Sequence, residues 1–119
     1  MNYNDMKTPI IFSVLFFILT AISSFGQGGG FWIEENVDPE TGLRTGKIEN
    51  DFGETFEMKP NADLRRADLQ SFDLRNVNLE GANLTNADLN EAAIQGANLE
   101  GANLGNANLR GISSGNLKG

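Results

Sequence analysis

Apolar and polar positions divide the chain into three parts. Residues 10–22 (IIFSVLFFILTAI) are almost wholly apolar, and residues 31–48 alternate apolar and polar positions in part. From residue 62 to residue 111, an aliphatic side chain recurs at every fifth position. The third part is the most regular and determines the predicted fold.

Residues 62–111 are ten tandem pentapeptides, which read ADLRR, ADLQS, FDLRN, VNLEG, ANLTN, ADLNE, AAIQG, ANLEG, ANLGN and ANLRG. The third position is Leu except at Ile94, and the first is Ala except at Phe72 and Val77. The second position is Asp or Asn except at Ala93, and the fifth is Gly or Asn in seven repeats. Each position therefore has a chemistry of its own, which indicates a repeated local conformation.

A period of five fits neither a helix nor a straight strand. Five residues turn a helix by about 500°, so the leucines would spiral around it. On a straight strand, successive leucines would point to opposite faces. They share one core only if the chain bends once per repeat, and Gly or Asn at the fifth position tolerates the left-handed backbone of such a corner. The predicted core is Leu64, Leu69, Phe72, Leu74, Leu79, Leu84, Leu89, Ile94, Leu99, Leu104 and Leu109.

These repeats resemble the pentapeptide-repeat family, whose motif is A(D/N)LXX, over 50 of the 119 residues. The resemblance implies an all-β fold, a right-handed quadrilateral β-helix in which four repeats complete one coil. Ten repeats then give about 2.5 coils, stacked at roughly 4.8 Å. Residues twenty apart are expected to stack, so Leu64 lies in one series with Leu84 and Leu104, and Phe72 above Ala92.

Polar residues on the predicted faces stack in the same register. Asn78 with Asn98, and Asn83 with Asn103, are expected to form side-chain amide ladders. Asp68 would lie near Asp88, and Glu80 near Glu100. Such carboxylate pairs allow calcium binding, but we expect them to be exposed and screened by salt. In the first coil, Arg65, Arg66 and Arg75 are expected to be offset by Asp63, Asp68 and Asp73.

Residues 27–61 are predicted to form a glycine-rich lead-in and a β-hairpin that caps the first coil. Residues 31–37 and 43–48 are the two candidate strands, and DPETG between them is a turn sequence. The large side chains of Phe31, Trp32, Phe52 and Phe56 either cover the open first coil or form an aromatic binding surface. The first interpretation is favoured because repeat arrays need end caps.

Residues 1–26 are typical of a secretory signal peptide. A polar start with Lys7 precedes an apolar run of 13 residues, and small residues at Ser24 and Gly26 favour cleavage between Gly26 and Gln27. The run is shorter than the roughly 20 residues that a membrane-spanning helix needs. We therefore expect a secreted or periplasmic protein with no stable membrane anchor after cleavage.

Composition excludes several kinds of chemistry. The chain has no Cys and no His, which removes thiolate and imidazole catalysis and the commonest metal ligand. Its net charge of −7 disfavours nucleic acid and anionic membranes as partners. None of the common catalytic, nucleotide or metal-binding motifs occurs. We predict no enzyme activity, no cofactor, no catalytic residue and no metal site.

Residues 112–119 leave the repeat and would expose Ala and Leu side chains at the end of the last coil. A second copy stacked end to end, another protein, or Ile112 and Leu117 folded back are three ways to cover that end. The predicted function is an exported structural or protein-interaction module with an unknown protein partner. Two alternatives are a calcium- or glycan-binding surface and, by family analogy, an acidic DNA mimic that binds a type II topoisomerase. The export signal and the short solenoid disfavour the mimic.

Overall fold

The computed structural model describes residues 29–113, which form a three-stranded sheet followed by a solenoid of pentapeptides. The strands are β1 (Phe31–Val37), β2 (Arg44–Glu49) and β3 (Thr55–Met58). Within 29–113 the fold is all-β and contains no helix. The predicted signal peptide with its Gly26–Gln27 cleavage site, and residues 114–119, lie outside the described part of the chain.

The sheet has the order β1-β2-β3, and both pairs of neighbouring strands are antiparallel. The predicted hairpin is confirmed, with Val37 opposite Arg44 and a register irregularity between Trp32 and Glu34. The Asp38 carboxylate accepts the Glu40 N–H at 2.8 Å and holds the turn. β3 is not among the predicted strands: its four residues, TFEM, alternate polar and apolar but are few, and β3 is held by backbone pairing with β2.

The pentapeptides stack in four series of parallel bridges, and bridged residues within a series are twenty positions apart. One series joins Asp63, Asn83 and Asn103, and another joins Asp68, Asp88 and Asn108. The remaining two contain Asp73, Ala93 and Ser113, and Asn78 and Asn98. This register places the leucines in the predicted columns. Stacking also extends past residue 111, since Ser113 pairs with Ala93.

The corner of every repeat is a left-handed residue at the fifth position. All ten have φ between 56° and 74°, as the bend requires. Seven are Gly or Asn, but Arg66, Ser71 and Glu91 adopt the same conformation, which costs a residue with a Cβ roughly 1–2 kcal/mol. Each of the first nine corners is closed by a turn hydrogen bond, such as that from the Ala67 N–H to the Leu64 carbonyl at 3.1 Å.

The core is a column of Leu and Ala that begins beneath the sheet. Ile48 and Met58 from the sheet, and Phe72 from the first coil, are fully buried at its N-terminal end. The buried repeat side chains continue through the middle coil and include Leu64, Leu69, Leu74, Leu79, Leu84, Leu89 and Ile94. Leu99 and Leu104 are only partly buried, and Leu109 is 38% exposed.

The sheet joins the solenoid as part of its first coil. The Arg44 N–H donates to the Asn76 carbonyl at 2.7 Å, and the Asn78 N–H donates to the Arg44 carbonyl at 2.8 Å. The start of β2 thus supplies a strand where the bridge series of Asn78 and Asn98 would otherwise end. Trp32 is buried, and its indole N–H donates to the Asp73 carbonyl at 2.9 Å.

Phe52 does not belong to the cap that the sheet forms over the first coil. We expected Phe52 to cover the first coil with Phe31, Trp32 and Phe56, but its side chain is 81% exposed. It lies in the β2–β3 turn, where Asn50 accepts the N–H groups of Phe52 and Glu54. The turn hydrogen bonds hold its backbone away from the core, whereas Phe56 on β3 packs against the core.

Replacing Leu84 by Ala is expected to lower the free energy of unfolding by about 2–5 kcal/mol, because the lost side chain is fully buried in the middle coil. Leu109→Ala is the matched control at the exposed end, and we expect less than half that loss. Chemical denaturation followed by far-ultraviolet circular dichroism measures both. Equal losses would contradict the burial gradient along the column.

Replacing Glu91 by Gly is expected to raise the free energy of unfolding by about 0.5–1 kcal/mol, since glycine adopts its φ of 59° without steric cost. Glu100→Gly is the control, because Glu100 precedes its corner and is not in the left-handed region. The same denaturation curves should show no gain for that variant. A loss of stability in Glu91→Gly would mean that the Glu91 side chain stabilises its corner.

Candidate interaction surface

The Asp and Asn side chains on the flat faces are bonded to their own backbone. In nine repeats the second residue accepts the backbone N–H of the fourth, at distances of 2.9–3.3 Å. Ala93 occupies the second position of the remaining repeat, the seventh, and has no side-chain acceptor. An Asp or Asn can close this turn because its oxygen reaches the N–H two residues on. The repeat pattern predicted that these residues lie outside, but it did not indicate this role.

Contacts between coils involve fewer of these side chains than predicted. Asn98 donates to the Asn78 side chain at 3.3 Å, which confirms that amide ladder. The predicted ladder between Asn83 and Asn103 is wrong. The Asn83 oxygen accepts the Thr85 hydroxyl at 2.6 Å, and the Asn103 oxygen accepts the Gly105 N–H at 2.9 Å. Thr85 therefore competes for the oxygen that the ladder needs.

Of the stacked acidic residues, Asp88 accepts a hydrogen bond from the Asn108 amide at 2.9 Å, while Asp68 accepts one from the Gln70 amide at 3.0 Å. Within residues 29–113, no three or more acidic side chains are grouped closely enough to hold a metal ion.

Ion pairs neutralise most of the basic first coil, as expected. Arg65 and Asp63 are 2.6 Å apart, and Arg75 and Asp73 are 2.7 Å apart. Hydrogen bonds from Arg65 lower the pKa of Asp63 below its ordinary value of 3.8 and raise the pKa of Arg65. The Arg65–Asp63 pair lines an open recess together with Arg66 and Asn86. The recess is too exposed to shield a reacting group from water.

Arg44 ties the sheet to the solenoid and was not singled out in the sequence. Its Nη1 donates to the Arg75 carbonyl at 2.9 Å, and its guanidinium carbon lies 4.3 Å from the centre of the Trp32 ring. The Arg44 Nε and Glu35 Oε1 atoms are 2.6 Å apart and form an ion pair. The Nε–H does not point at the oxygen, so this contact is not a hydrogen bond. Because these partners come from two other segments, β1 and the third repeat, no local pattern marks Arg44.

A second recess lies between the β2–β3 turn and the first coil. It has a volume of about 240 Å³, and its lining includes Phe52, Asp51, Asp68 and Gln70. The Asp51 carboxylate accepts the Gly29 N–H at 3.1 Å. The exposed ring and these polar groups make it a candidate binding recess beside the sheet.

The opposite end of the solenoid is apolar, and no other part of residues 29–113 covers it. Ala82 and Leu84 are completely buried in the middle coil, whereas their stacked counterparts Ala102 and Leu104 are only partly buried. Leu109 is the most exposed leucine of the repeats. An apolar cavity of about 60 Å³ runs along the column; its lining includes Leu84, Leu104, Leu109 and Ile112.

The backbone at this end is also unpaired. In the first six repeats, residues 62–91, the N–H of each third residue and the carbonyl of each first residue bond to the next coil, as the Leu84 N–H does to the Asn103 carbonyl. Within residues 29–113, the N–H groups of Leu99, Leu104 and Leu109 have no such partner. The carbonyls of Ala97, Ala102 and Ala107 are equally free. The end therefore combines an apolar centre with exposed donors and acceptors, which is the usual template for strand pairing.

The stability of the sheet–solenoid junction is expected to fall in acid. Burial alone would raise the pKa of Asp73, but hydrogen bonds from Arg75 and the charge of Arg44 bring it below the ordinary value of 3.8. The carboxylate therefore stabilises the fold fully above about pH 4, and this contribution is lost as the pH falls through the lowered pKa. Denaturation curves from pH 7 to pH 2 measure the effect. Asp73→Asn should show a shallower loss below pH 4, and an unchanged slope would contradict the assignment.

None of the residues described by the structure forms a helix that could cross a membrane.

Comparison with known proteins identifies the repeats. A family model described as pentapeptide repeats matches residues 62–101 and 94–113. Among solved structures, the chain is similar to a pentapeptide repeat protein, Rfr23, from the cyanobacterium Cyanothece 51142. The identity is 44% over 46% of this chain and 34% of that one, with a TM-score of 0.32. This chain thus spans about a third of the length of that protein. No curated protein matches. Residues 62–113 are a pentapeptide-repeat segment, built as a β-solenoid.

Proposed function

We propose that the protein is an exported, non-enzymatic module that presents the C-terminal end of its solenoid to a protein partner. The observation that carries the proposal is the contrast between the two ends. The N-terminal end is covered by the sheet, whereas Leu104, Leu109 and Ile112 remain partly exposed at the other. Exposed apolar surface beside free backbone groups is typical of a protein-binding site.

The chemistry of the surface supports binding rather than catalysis. The chain has neither His nor Cys, and the Asp and Asn oxygens of the faces are largely engaged by backbone N–H groups. Carboxylates held in this way close turns and are poorly placed to act as proton donors or nucleophiles. A rigid scaffold with engaged polar groups suits recognition by shape and by strand edges.

Export is proposed from residues 1–26, whose pattern of a charged start, an apolar run and small residues favours cleavage before Gln27. We place the processed protein in the periplasm or the medium, with no membrane anchor. A rigid protein without disulfide bonds suits such a location, because its fold does not depend on a redox state.

Glycan binding is a second candidate, favoured by the recess at Phe52. A sugar ring stacks on an exposed aromatic side chain, and carboxylate and amide groups such as those of Asp68 and Gln70 bond its hydroxyls. The Phe52→Ala variant separates the two functions, since it removes the stacking ring and leaves the C-terminal end unchanged.

Cell fractionation tests the export step. We expect the protein outside the cytoplasm with its first residue at Gln27, as read by intact mass. The double variant Leu15→Arg, Leu19→Arg places charges in the apolar run and should leave the full-length chain inside the cell. A wild-type chain that keeps Met1 and stays in the cytoplasm would overturn this step.

Crosslinking in the producing cell tests the interaction step. A crosslinked protein adduct should form with the wild type and be lost in Leu109→Glu, which puts a charge on the open end. Phe52→Glu is the matched control at the opposite end and should retain the adduct. If the adduct were lost in Phe52→Glu and retained in Leu109→Glu, the interaction surface would be the Phe52 recess and not the C-terminal end.

A further inference from the structure

We infer that the Phe52 recess, between the β2–β3 turn and the first coil, binds a sugar that carries a protonated amine. This inference rests on the second candidate function, glycan binding, and names the class of glycan. Three features of the recess carry it. Two carboxylates line it without a cationic partner, an aromatic ring is exposed at its edge on a fixed backbone, and two further side chains have groups free to bond hydroxyls.

The first carboxylate, that of Asp68, lacks the partner that the neighbouring repeats provide. In the first and third repeats, an arginine at the fourth position pairs with the aspartate at the second, as Arg65 does with Asp63 at 2.6 Å. The second repeat has Gln70 at the fourth position, and its amide donates to Asp68 at 3.0 Å. Within residues 29–113, Asp68 is therefore the aspartate of the first coil whose charge no arginine offsets.

Asp51 adds a second charge of the same sign. Its Oδ2 accepts the Gly29 N–H at 3.1 Å, and its Oδ1 has no partner in the described chain. In Asp68, Oδ1 accepts both bonds from Gln70, which leaves Oδ2 equally free there. No Lys or Arg among residues 29–113 lines the recess. The recess therefore presents two free carboxylate oxygens and attracts a cation.

The number of carboxylates favours an organic cation over a metal ion. Calcium takes about six to eight oxygen ligands. The described part of the chain has no group of three or more acidic side chains that could hold a metal ion. An ammonium group needs fewer acceptors, because each of its N–H groups donates one charge-assisted hydrogen bond to a carboxylate oxygen. Two free oxygens on different segments therefore suit an ammonium ion.

Phe52 gives the recess an apolar surface beside these charges. Its side chain is 81% exposed. Its backbone is held by the turn, in which the N–H groups of Phe52 and Glu54 donate to the Asn50 oxygen at 3.0 and 2.9 Å. Binding therefore orders little of the backbone, which lowers its entropic cost. A pyranose ring has a face of C–H groups, and packing this face on Phe52 removes apolar surface of both from water.

The remaining lining favours a sugar over a lysine side chain. The Gln70 Oε1 atom and the Ser71 hydroxyl have no partner within residues 29–113 and are free to bond the hydroxyls of a ligand. A lysine side chain has no hydroxyl to offer them. The recess volume of about 240 Å³ is below the roughly 300–1,000 Å³ of pockets for drug-sized ligands. One sugar unit of a chain that continues into solvent suits this size.

Titration with two matched trisaccharides tests the inference. The full-length protein, purified as the producing cell processes it, is titrated with the β-1,4-linked trimers of glucosamine and of N-acetylglucosamine in a calorimeter. A pH of about 5.5 protonates an amine whose pKa is near the roughly 7.7–8.0 of an α-amino group. We expect the glucosamine trimer to bind about tenfold more tightly, because only its amine donates to the carboxylates as a cation.

The other outcomes separate this inference from the proposals on which it builds. Equal affinity for the two trimers would overturn the amine and leave glycan binding standing. Tighter binding of a trilysine peptide than of the glucosamine trimer would overturn the sugar and identify a basic peptide as the ligand. No heat of binding for either trimer at about 10 mM, weaker than the roughly 1 mM of a −4.1 kcal/mol interaction, would overturn both. The interaction at the C-terminal end is tested separately by Leu109→Glu.

Asp68→Asn tests the charge without disturbing the turn. Asn closes the same turn at the second position of other repeats, as the Asn78 oxygen does for the Glu80 N–H at 3.3 Å. The variant should bind the glucosamine trimer about fivefold more weakly, the upper range for an exposed ion pair, and the N-acetylglucosamine trimer unchanged. Asp88→Asn, at the same position of the next coil and outside the recess, is the matched control and should change neither affinity.

Gln70→Arg tests the missing arginine directly. An arginine at this position is expected to pair with Asp68 as Arg65 does with Asp63, and to abolish the preference for the amine. Thermal melts followed by circular dichroism check that both variants and the control remain folded. If Asp68→Asn and Gln70→Arg were folded and kept the full preference for the glucosamine trimer, the amine would bind elsewhere and the inference would be wrong.

Discussion

The left-handed residue that ends each pentapeptide is the constraint on which the rest of the structure depends. It turns the chain after every short extended face and brings the third residue of all ten repeats to one axis. Where Arg66, Ser71 and Glu91 hold this conformation without the freedom of Gly or Asn, the neighbouring coils impose it. The backbone bonds between coils and the buried leucines outweigh a local cost of roughly 1–2 kcal/mol at each of these corners.

The stack of coils is stable only where each coil has a neighbour on both sides, and no coil precedes the first one. The sheet solves this problem with its backbone as well as its side chains. Arg44 supplies the missing strand next to Val77 and Asn78, and Trp32 bonds the Asp73 carbonyl. The Arg44 guanidinium, stacked on Trp32 and bonded to the Arg75 carbonyl, then fixes the angle at which the sheet meets the coil.

Periodic features of the fold were readable from the sequence, and long-range ones were not. The period of five, with Ala and Leu two residues apart, predicts the core and the stacking because each repeat places the same groups in the same positions. The same regularity led to the wrong prediction of an amide ladder between Asn83 and Asn103. Thr85 lies at a variable position of the repeat, and its hydroxyl donates to the Asn83 oxygen that the ladder needs. β3, the exposure of Phe52 and the contacts of Arg44 depend on single residues from distant segments, which no pattern in the chain repeats.

The sequence predicts where the candidate interaction surface lies, at the C-terminal end of the solenoid, but not which of its backbone groups are free. A repeat array that is capped at one end must expose the other, and the sequence places Ala and Leu there. Which backbone groups are free follows only from the direction in which coils bond to one another. Within residues 29–113, that direction leaves the N–H groups of the third and fifth residues and the carbonyl of the first residue without a partner at this end. The same groups bond the next coil higher up the column, so a solenoid that grows in parallel layers always ends in a strand edge that one more strand can join.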